Sequence, residues 1–243
     1  MTITDYTFYH YDSSALSQAS RLVVDLARVP YTPVQVDLLD KPEYFAKEVN
    51  PEGKVPVLKL GRPEDKEAIC LPESWAIARY VADVSGKLLP QDPLKRARVG
   101  VLKARFDEKL HKLFYAFYFA KNGAEKEKVT QEVRDGLAHI EGLVKDQSPN
   151  GPYFLGEELS LADPTITPLL ACLFACSSPV LGVDIHQDQY PRLKSWIQAM
   201  KSLPEWSKAI SDDATFIKNM SVLVKTFGDL SSQNEAQESS IKA

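Results

Sequence analysis

Strand-like signals in this 243-residue chain stop near residue 90. Before that point, short apolar runs alternate with helical periodicity. After it, every apolar pattern repeats at helical spacing. A chain that spends all its strands early must build a small sheet there and bury the rest as helices. The switch predicts an α/β unit over 1–89 and an all-helical unit over 93–228. The polar stretch over 229–243 is expected to be a disordered tail.

The first unit orders its elements as β-α-β, then β-β-α. "YTFYHY" (Tyr6–Tyr11) is rich in strand formers, and "TPVQVDLL" alternates as a second strand. Between them Ala19, Leu22, Val23, Leu26 and Ala27 mark one helix face. "PVLKL" and "AICL" read as two strands joined by the turn "GRPEDKE". "ESWAIARYVADVSG" is helical, with Ile77, Val81 and Val84 on one face and Gly86 as its stop. In the second unit one long helix over 94–120 places Val99, Leu102, Phe106, Leu110, Leu113 and Phe117 in a stripe. The next carries Val129, Val133, Leu137, Ile140 and Val144.

Composition narrows the function. A formal charge of -4 argues against a nucleic-acid binder, which needs a positive footprint. No signal peptide and no membrane span is read, so a cytoplasmic protein is expected. Cys70, Cys172 and Cys176 do not form a disulfide framework, and no His/Cys cluster has zinc spacing, so no metal is expected. Cys172 and Cys176, four apart on an apolar helix, read as core.

Pro56 stands at the mouth of a strand, where it has no N–H to give a sheet. An X-Pro bond loses only ~0.5–1 kcal/mol on going cis. A cis Val55-Pro56 bond would turn the Val55 amide and carbonyl outward, toward another extended backbone. A trans proline at a strand start is the plainer alternative.

"GKVPVL" followed by "LPESWAIARYV" resembles the glutathione-binding half of a cytosolic glutathione transferase. "SQASRL" (Ser17–Leu22) resembles a theta-like serine-type opening, except that Ala19 stands where that pattern has proline. "LSLADPTITP" resembles the family's capping motif in the helical domain, and the linkers have a fungal flavour. The resemblance implies a thioredoxin-like N-terminal domain, an all-α C-terminal bundle, glutathione as co-substrate and a homodimer. It also implies conjugation to hydrophobic electrophiles, with hydroperoxide reduction as a second activity. A non-catalytic ligand-binding protein is the rival reading, since the same groove serves both.

The chemistry required is thiol activation. Lowering a thiol pKa by ~2 units needs ~2.7 kcal/mol. A hydrogen bond to a charged group contributes ~1.5–3 kcal/mol and a helix N-terminus ~0.3–1 kcal/mol. One hydroxyl at a helix start is therefore about enough. The resemblance points to Ser17 as that donor, with Ser14 in reserve; a plain N-cap is the local alternative for Ser17. No cysteine precedes Cys70, which argues against the thiol-transfer chemistry of cysteine-type members. The resemblance also assigns Glu73 and Ser74 to the γ-glutamyl end, Lys54, Val55 and Pro56 to the rest of the tripeptide, and Lys41 to the glycine carboxylate. Ser74 is read as the N-cap of its helix. Tyr115, Tyr118 and His111 fall opposite the core stripe of the long helix. The two tyrosines are read as electrophile-binding, with a dimer contact as the alternative, and His111 as a surface side chain. Ser160 and Asp163 are read as a structural capping box.

Overall fold

The computed structural model describes residues 5–120 and 123–226, so the polar tail over 229–243 lies outside the described residues. Four short strands make one mixed sheet in the order β2-β1-β3-β4. β1 (Thr7–His10) runs parallel to β2 (Thr32–Gln35) and antiparallel to β3 (Val57–Lys59). β3 pairs antiparallel with β4 (Cys70–Pro72). α1 (Ala15–Ala27) crosses from β1 to β2, and α2 (Ser74–Ser85) follows β4. This is the thioredoxin-like layout expected from the sequence. Pro33 is tolerated in β2 because β2 is an edge strand.

The pleat sends alternate side chains to opposite faces. Phe8 and Leu58 join the main core with Leu22 and Ile77. Tyr9 and Val57 join a smaller cluster with Val36, Phe45 and Val49, the last two on a π-helical turn at Phe45–Val49. α2 differs slightly from its expected face. Val84 is half exposed in its last turn, while Ala78 and Ala82 are buried. The stop at Gly86 holds, in the left-handed conformation.

The helical domain comprises α3 (Pro93–Phe106), a π-helical turn at Asp107–His111, α4 (Leu113–Phe119), α5 (Gly123–Gln147), α6 (Ala162–Leu181), α7 (Pro191–Lys201), α8 (Pro204–Ala209) and a helical run over 213–226. α6 is its centre, packed on α1, α3 and α7. Among the described residues, α6 is the helix that by length and composition would pass as a membrane span, which the sequence reading overlooked. It is 72% buried inside the protein, as the core helix of a globular domain is. One continuous apolar core joins the two domains.

The expected single helix over 94–120 is corrected. Val99, Leu102, Phe106 and Leu110 are buried as predicted. The π-helical turn then takes up an extra residue, which rotates everything after it by about 100°. Leu113 ends only partly buried, while Phe117 and Tyr118 both enter the core. α5 lies against this turn at Gly136. A Cβ there would sit 2.5 Å from the Lys109 carbonyl oxygen.

Candidate active site

The loop between β1 and α1 is held by side chains from the helix it precedes. α1 starts at Ala15, not Ser17, and its N-cap is Ser14. Ser14 Oγ accepts from Ser17 N at 3.2 Å, so its own proton is uncommitted. Ser17 is 1% exposed. Its Oγ faces back into the loop and accepts from Tyr11 N at 3.4 Å. The helix begins earlier than the apolar pattern suggested because a cap needs no apolar residue. Gln18 completes the frame. Its Nε2 donates to Asp12 O at 2.5 Å and to Ser211 Oγ at 2.9 Å, while its Oε1 accepts from Ser211 N at 2.9 Å. One buried amide thus ties the loop to the chain beyond α8. The "SQ" pair is scaffolding for the loop, and Ser14 is the half-buried hydroxyl at its rim.

The Val55-Pro56 peptide bond is cis. Val55 lies outside the ladder, whose register on β3 begins at Val57. The loop before it is organised by Asn50, which sequence reasoning missed. Asn50 Nδ2 donates to Lys54 O at 2.8 Å, and Glu52 N donates to Asn50 Oδ1 at 3.2 Å. The run Asn-Pro-x-Gly, an Asx-turn pattern, was the available signal. Lys41 folds over this turn. A Cβ on Gly53, at φ +63, would meet Lys41 Nζ at 2.7 Å. Lys54 is exposed and paired with Glu52 at 2.7 Å. That hydrogen bond and charge, with a smaller contribution from Glu73, hold its ammonium above the usual lysine value. Lys41, Lys54 and Val55 therefore share one loop cluster.

α2 begins at Ser74, with Glu73 in the N-cap position, one residue earlier than expected. Glu73 makes no capping hydrogen bond with its side chain and sits at φ 72, ψ 114. Such a backbone costs ~1–3 kcal/mol in a non-glycine residue and is retained where the surroundings impose it, often at ligand sites. The first backbone bond of α2 is Ile77 N to Glu73 O. The earlier N–H groups of this turn are free to meet an anion.

The helical domain closes the other side. Leu16, Ser74, Trp75, Lys103 and His111, all half-buried, form the rim of a narrow interdomain crevice of ≈ 10 Å³. On its floor Ser20 Oγ is buried with no hydrogen-bond partner among the described residues. Lys103 Nζ lies 5.4 Å from the Trp75 ring centroid and pairs with Asp107. His111 Nδ1 lies 3.2 Å from the other Asp107 oxygen. Burial pushes the Asp107 carboxyl upward. The hydrogen bonds and charges of His111 and Lys103 outweigh it and hold the group below its usual value.

Tyr118 does not reach this crevice. It is 8% exposed, with its hydroxyl 4.0 Å from Cys172 Sγ on α6. The π-helical turn is the cause, since the expected face assumed an unbroken period. The Tyr115 side chain lies outside the described residues. His111, expected as a surface side chain, is half-exposed, paired with Asp107 and also part of the crevice rim. Its signal, Lys103, Asp107 and His111 at spacing four, was available from ordinary helical spacing. No group of three or more His, Cys, Asp or Glu among the described residues could hold a metal ion.

A probable maleylacetoacetate isomerase of Caenorhabditis elegans is 32% identical over 213 residues, covering 84% of this chain and 92% of its own. The chain belongs to the glutathione S-transferase family. The N-terminal domain model of that family matches residues 8–86 and its C-terminal domain model matches 106–204. The pyrimidodiazepine synthase of Drosophila melanogaster is 31% identical over 192 residues, covering 77% of this chain and 73% of its own. The solved structure of glutathione transferase Omega 1C from Trametes versicolor agrees with a TM-score of 0.77 at 23% identity, over 91% of this chain and 97% of that one. That likeness speaks to the fold. This glutathione transferase is a glutathione-dependent transferase by family, and ligand storage without turnover is the less favoured reading.

Proposed function

We propose that this glutathione transferase is of the serine type, with Ser14 rather than Ser17 donating a hydrogen bond to glutathione sulfur. The observation that carries this is the Ser14 hydroxyl. It caps α1 by accepting from Ser17 N, which polarises it and leaves its proton to donate. Ser17 Oγ also accepts one backbone N–H, from Tyr11, but at 1% exposure it is closed to a ligand that half-buried Ser14 can meet. A donor of ~1.5–3 kcal/mol at a helix N-terminus of ~0.3–1 kcal/mol matches the need for a thiolate at neutral pH.

The tripeptide would lie along the loop clusters. The Val55 backbone would pair with its cysteinyl unit, and Pro56 would set that backbone's direction. Glu73 and the Ser74 N–H group would take the γ-glutamyl end, and Lys54 and Lys41 the rest and the glycine carboxylate. The support is the free first turn of α2 and the placement of Lys41 over Gly53. Hydrophobic electrophiles would enter at the interdomain crevice, where Leu16 and Ser74 face Trp75 and His111. Reduction of organic hydroperoxides by the same thiolate and a homodimeric assembly belong to the same proposal.

The test is the thiolate absorbance of bound glutathione followed against pH. Ser14→Ala is expected to raise the thiol pKa by about 1–2 units and to lower kcat/KM for an aryl chloride by about 10–100-fold. An unchanged titration in Ser14→Ala would remove Ser14 from the role.

A further inference from the structure

We infer that Gln18 is a positioning residue for the glutathione thiolate: it fixes the turn that presents Ser14 and fastens that turn to the start of the last helical run of the helical domain. The inference rests on the Ser14 reading above and names what holds that hydroxyl in place.

Hydrogen-bond chemistry leaves the Gln18 amide one orientation. The Asp12 carbonyl can only accept, and the Ser211 N–H can only donate. Nε2 must therefore face Asp12 O, at 2.5 Å, and Oε1 must face Ser211 N, at 2.9 Å. The second Nε2 proton goes to Ser211 Oγ at 2.9 Å. Gln18 is 4% exposed, so water does not compete for these bonds. A buried polar group with all its partners supplied in this way is rigid. A carboxylate of the same shape could not give the bond to Asp12, and an apolar side chain of the same length could make none of the three.

The near end of the tie is the turn that carries Ser14. Ser14 N donates to Tyr11 O at 2.9 Å and closes a turn over 11–14. Asp12 lies inside that turn. Gln18 also gives its own backbone N–H to Ser14 O at 3.0 Å. One residue thus grips the turn at Asp12 with its side chain and at Ser14 with its backbone.

The far end is anchored in the other domain. Ser211 follows α8 and precedes Asp212, whose Oδ1 accepts from Thr215 N at 2.7 Å at the start of the helical run over 213–226. Phe216, one turn on, is 3% exposed in the main core. The Ser14 turn is therefore set by the packed helical domain as well as by its own helix. A hydroxyl stabilises a thiolate only within hydrogen-bond reach and alignment, so a loosened turn weakens it at the sulfur. The residues proposed for the rest of the tripeptide stand on other segments, at Val55 and at the start of α2. Loss of Gln18 should therefore act on the thiol and not on the grip on the peptide.

The experiment titrates the thiolate absorbance of bound glutathione in the full-length enzyme and in Gln18→Met, Ser211→Ala, Ser14→Ala and the double variant Gln18→Met with Ser14→Ala. Methionine keeps the length of the side chain and none of its hydrogen bonds. Gln18→Met is expected to raise the bound thiol pKa by about 0.5–1 unit, a three- to tenfold loss of thiolate. The aryl chloride kcat is expected to fall by the same factor near pH 6 and to return to the wild-type value near pH 9, where the thiol is ionised in both. Glutathione affinity at about pH 5.5, where the thiol binds protonated, should stay within about twofold. Ser211→Ala, which removes one of the three bonds from the far side, is expected to shift the titration by about 0.3 unit, or twofold. Added to Ser14→Ala, Gln18→Met is expected to shift it no further, because it acts through Ser14. A lowered Tm with an unchanged titration in Gln18→Met overturns the inference, as does a shift that adds in full to that of Ser14→Ala. An unchanged titration in Ser211→Ala overturns the fastening to the helical domain, and decides the matter if Gln18→Met does not fold. An unchanged titration in Ser14→Ala would instead sink the Ser14 reading, and this inference with it.

Discussion

Two helix starts in this protein lack a side-chain cap and differ in what surrounds them. At α6 the segment leading into the helix is tied down by Asp163 in its first turn, although the cap position, Leu161, makes no side-chain hydrogen bond. Asp163 is 0% exposed, and its carboxylate accepts from Phe154 N, Ser160 N, Ser160 Oγ and Trp196 Nε1, all at 2.7–2.9 Å. Burial nonetheless pushes its carboxyl above the usual value against those four bonds. At α2 the cap residue Glu73 makes no capping bond and holds an unfavourable backbone. What sets the α2 start apart is its strained cap residue, a backbone often kept at ligand sites.

Three substitutions would break or sharpen that contrast. Asp163→Ala would strand three buried N–H donors at ~1–3 kcal/mol each. A loss of about 5 kcal/mol in denaturant unfolding is expected, with glutathione affinity little changed in the protein that remains folded. A loss under about 1 kcal/mol would deny the motif its structural role. Glu73→Gly comes next. It relieves part of ~1–3 kcal/mol of backbone strain at the cost of ~0.5–1 kcal/mol of chain entropy. A slightly raised Tm together with a roughly tenfold higher KM for glutathione is the expected pair. A lowered Tm with unaltered KM would make Glu73 a plain loop residue. Ser17→Ala is the smallest. It leaves Tyr11 N–H without its acceptor and should cost about 1 kcal/mol, or roughly 2–4 °C in Tm. Its effect on the thiol titration should fall well below that of Ser14→Ala; equal effects would return the donor role to Ser17.

Much of the fold was legible because its signals are local. The β-α-β and β-β-α order, the stop at Gly86, the buried stripe from Val129 to Val144 and the Ser160–Asp163 pairing all follow from periodicity and capping chemistry. The site was legible as a set of segments rather than as roles. Lys41, Lys54 and Val55 share one loop cluster, and Glu73 and Ser74 stand at the start of α2. Tyr118 did not come out on the expected face, and Ser17 lies inside the first turn of α1 rather than at its start. Ser17 and Ser14 compete for the same helix start, and only their hydrogen-bond partners distinguish scaffold from rim.

Sequence alone determined which segments are strands and which are helices, and that the two halves differ, because those choices depend on neighbours within a turn or two. Tertiary structure decided that Ser14 caps α1 while Ser17 is buried against Tyr11, that Tyr118 is core, and that His111 lines a crevice with Lys103 and Trp75. The reason is geometric. One extra residue in the π-helical turn, accommodated by close contact with Gly136, rotates every later side chain. A local periodicity cannot report a phase shift that a distant helix stabilises.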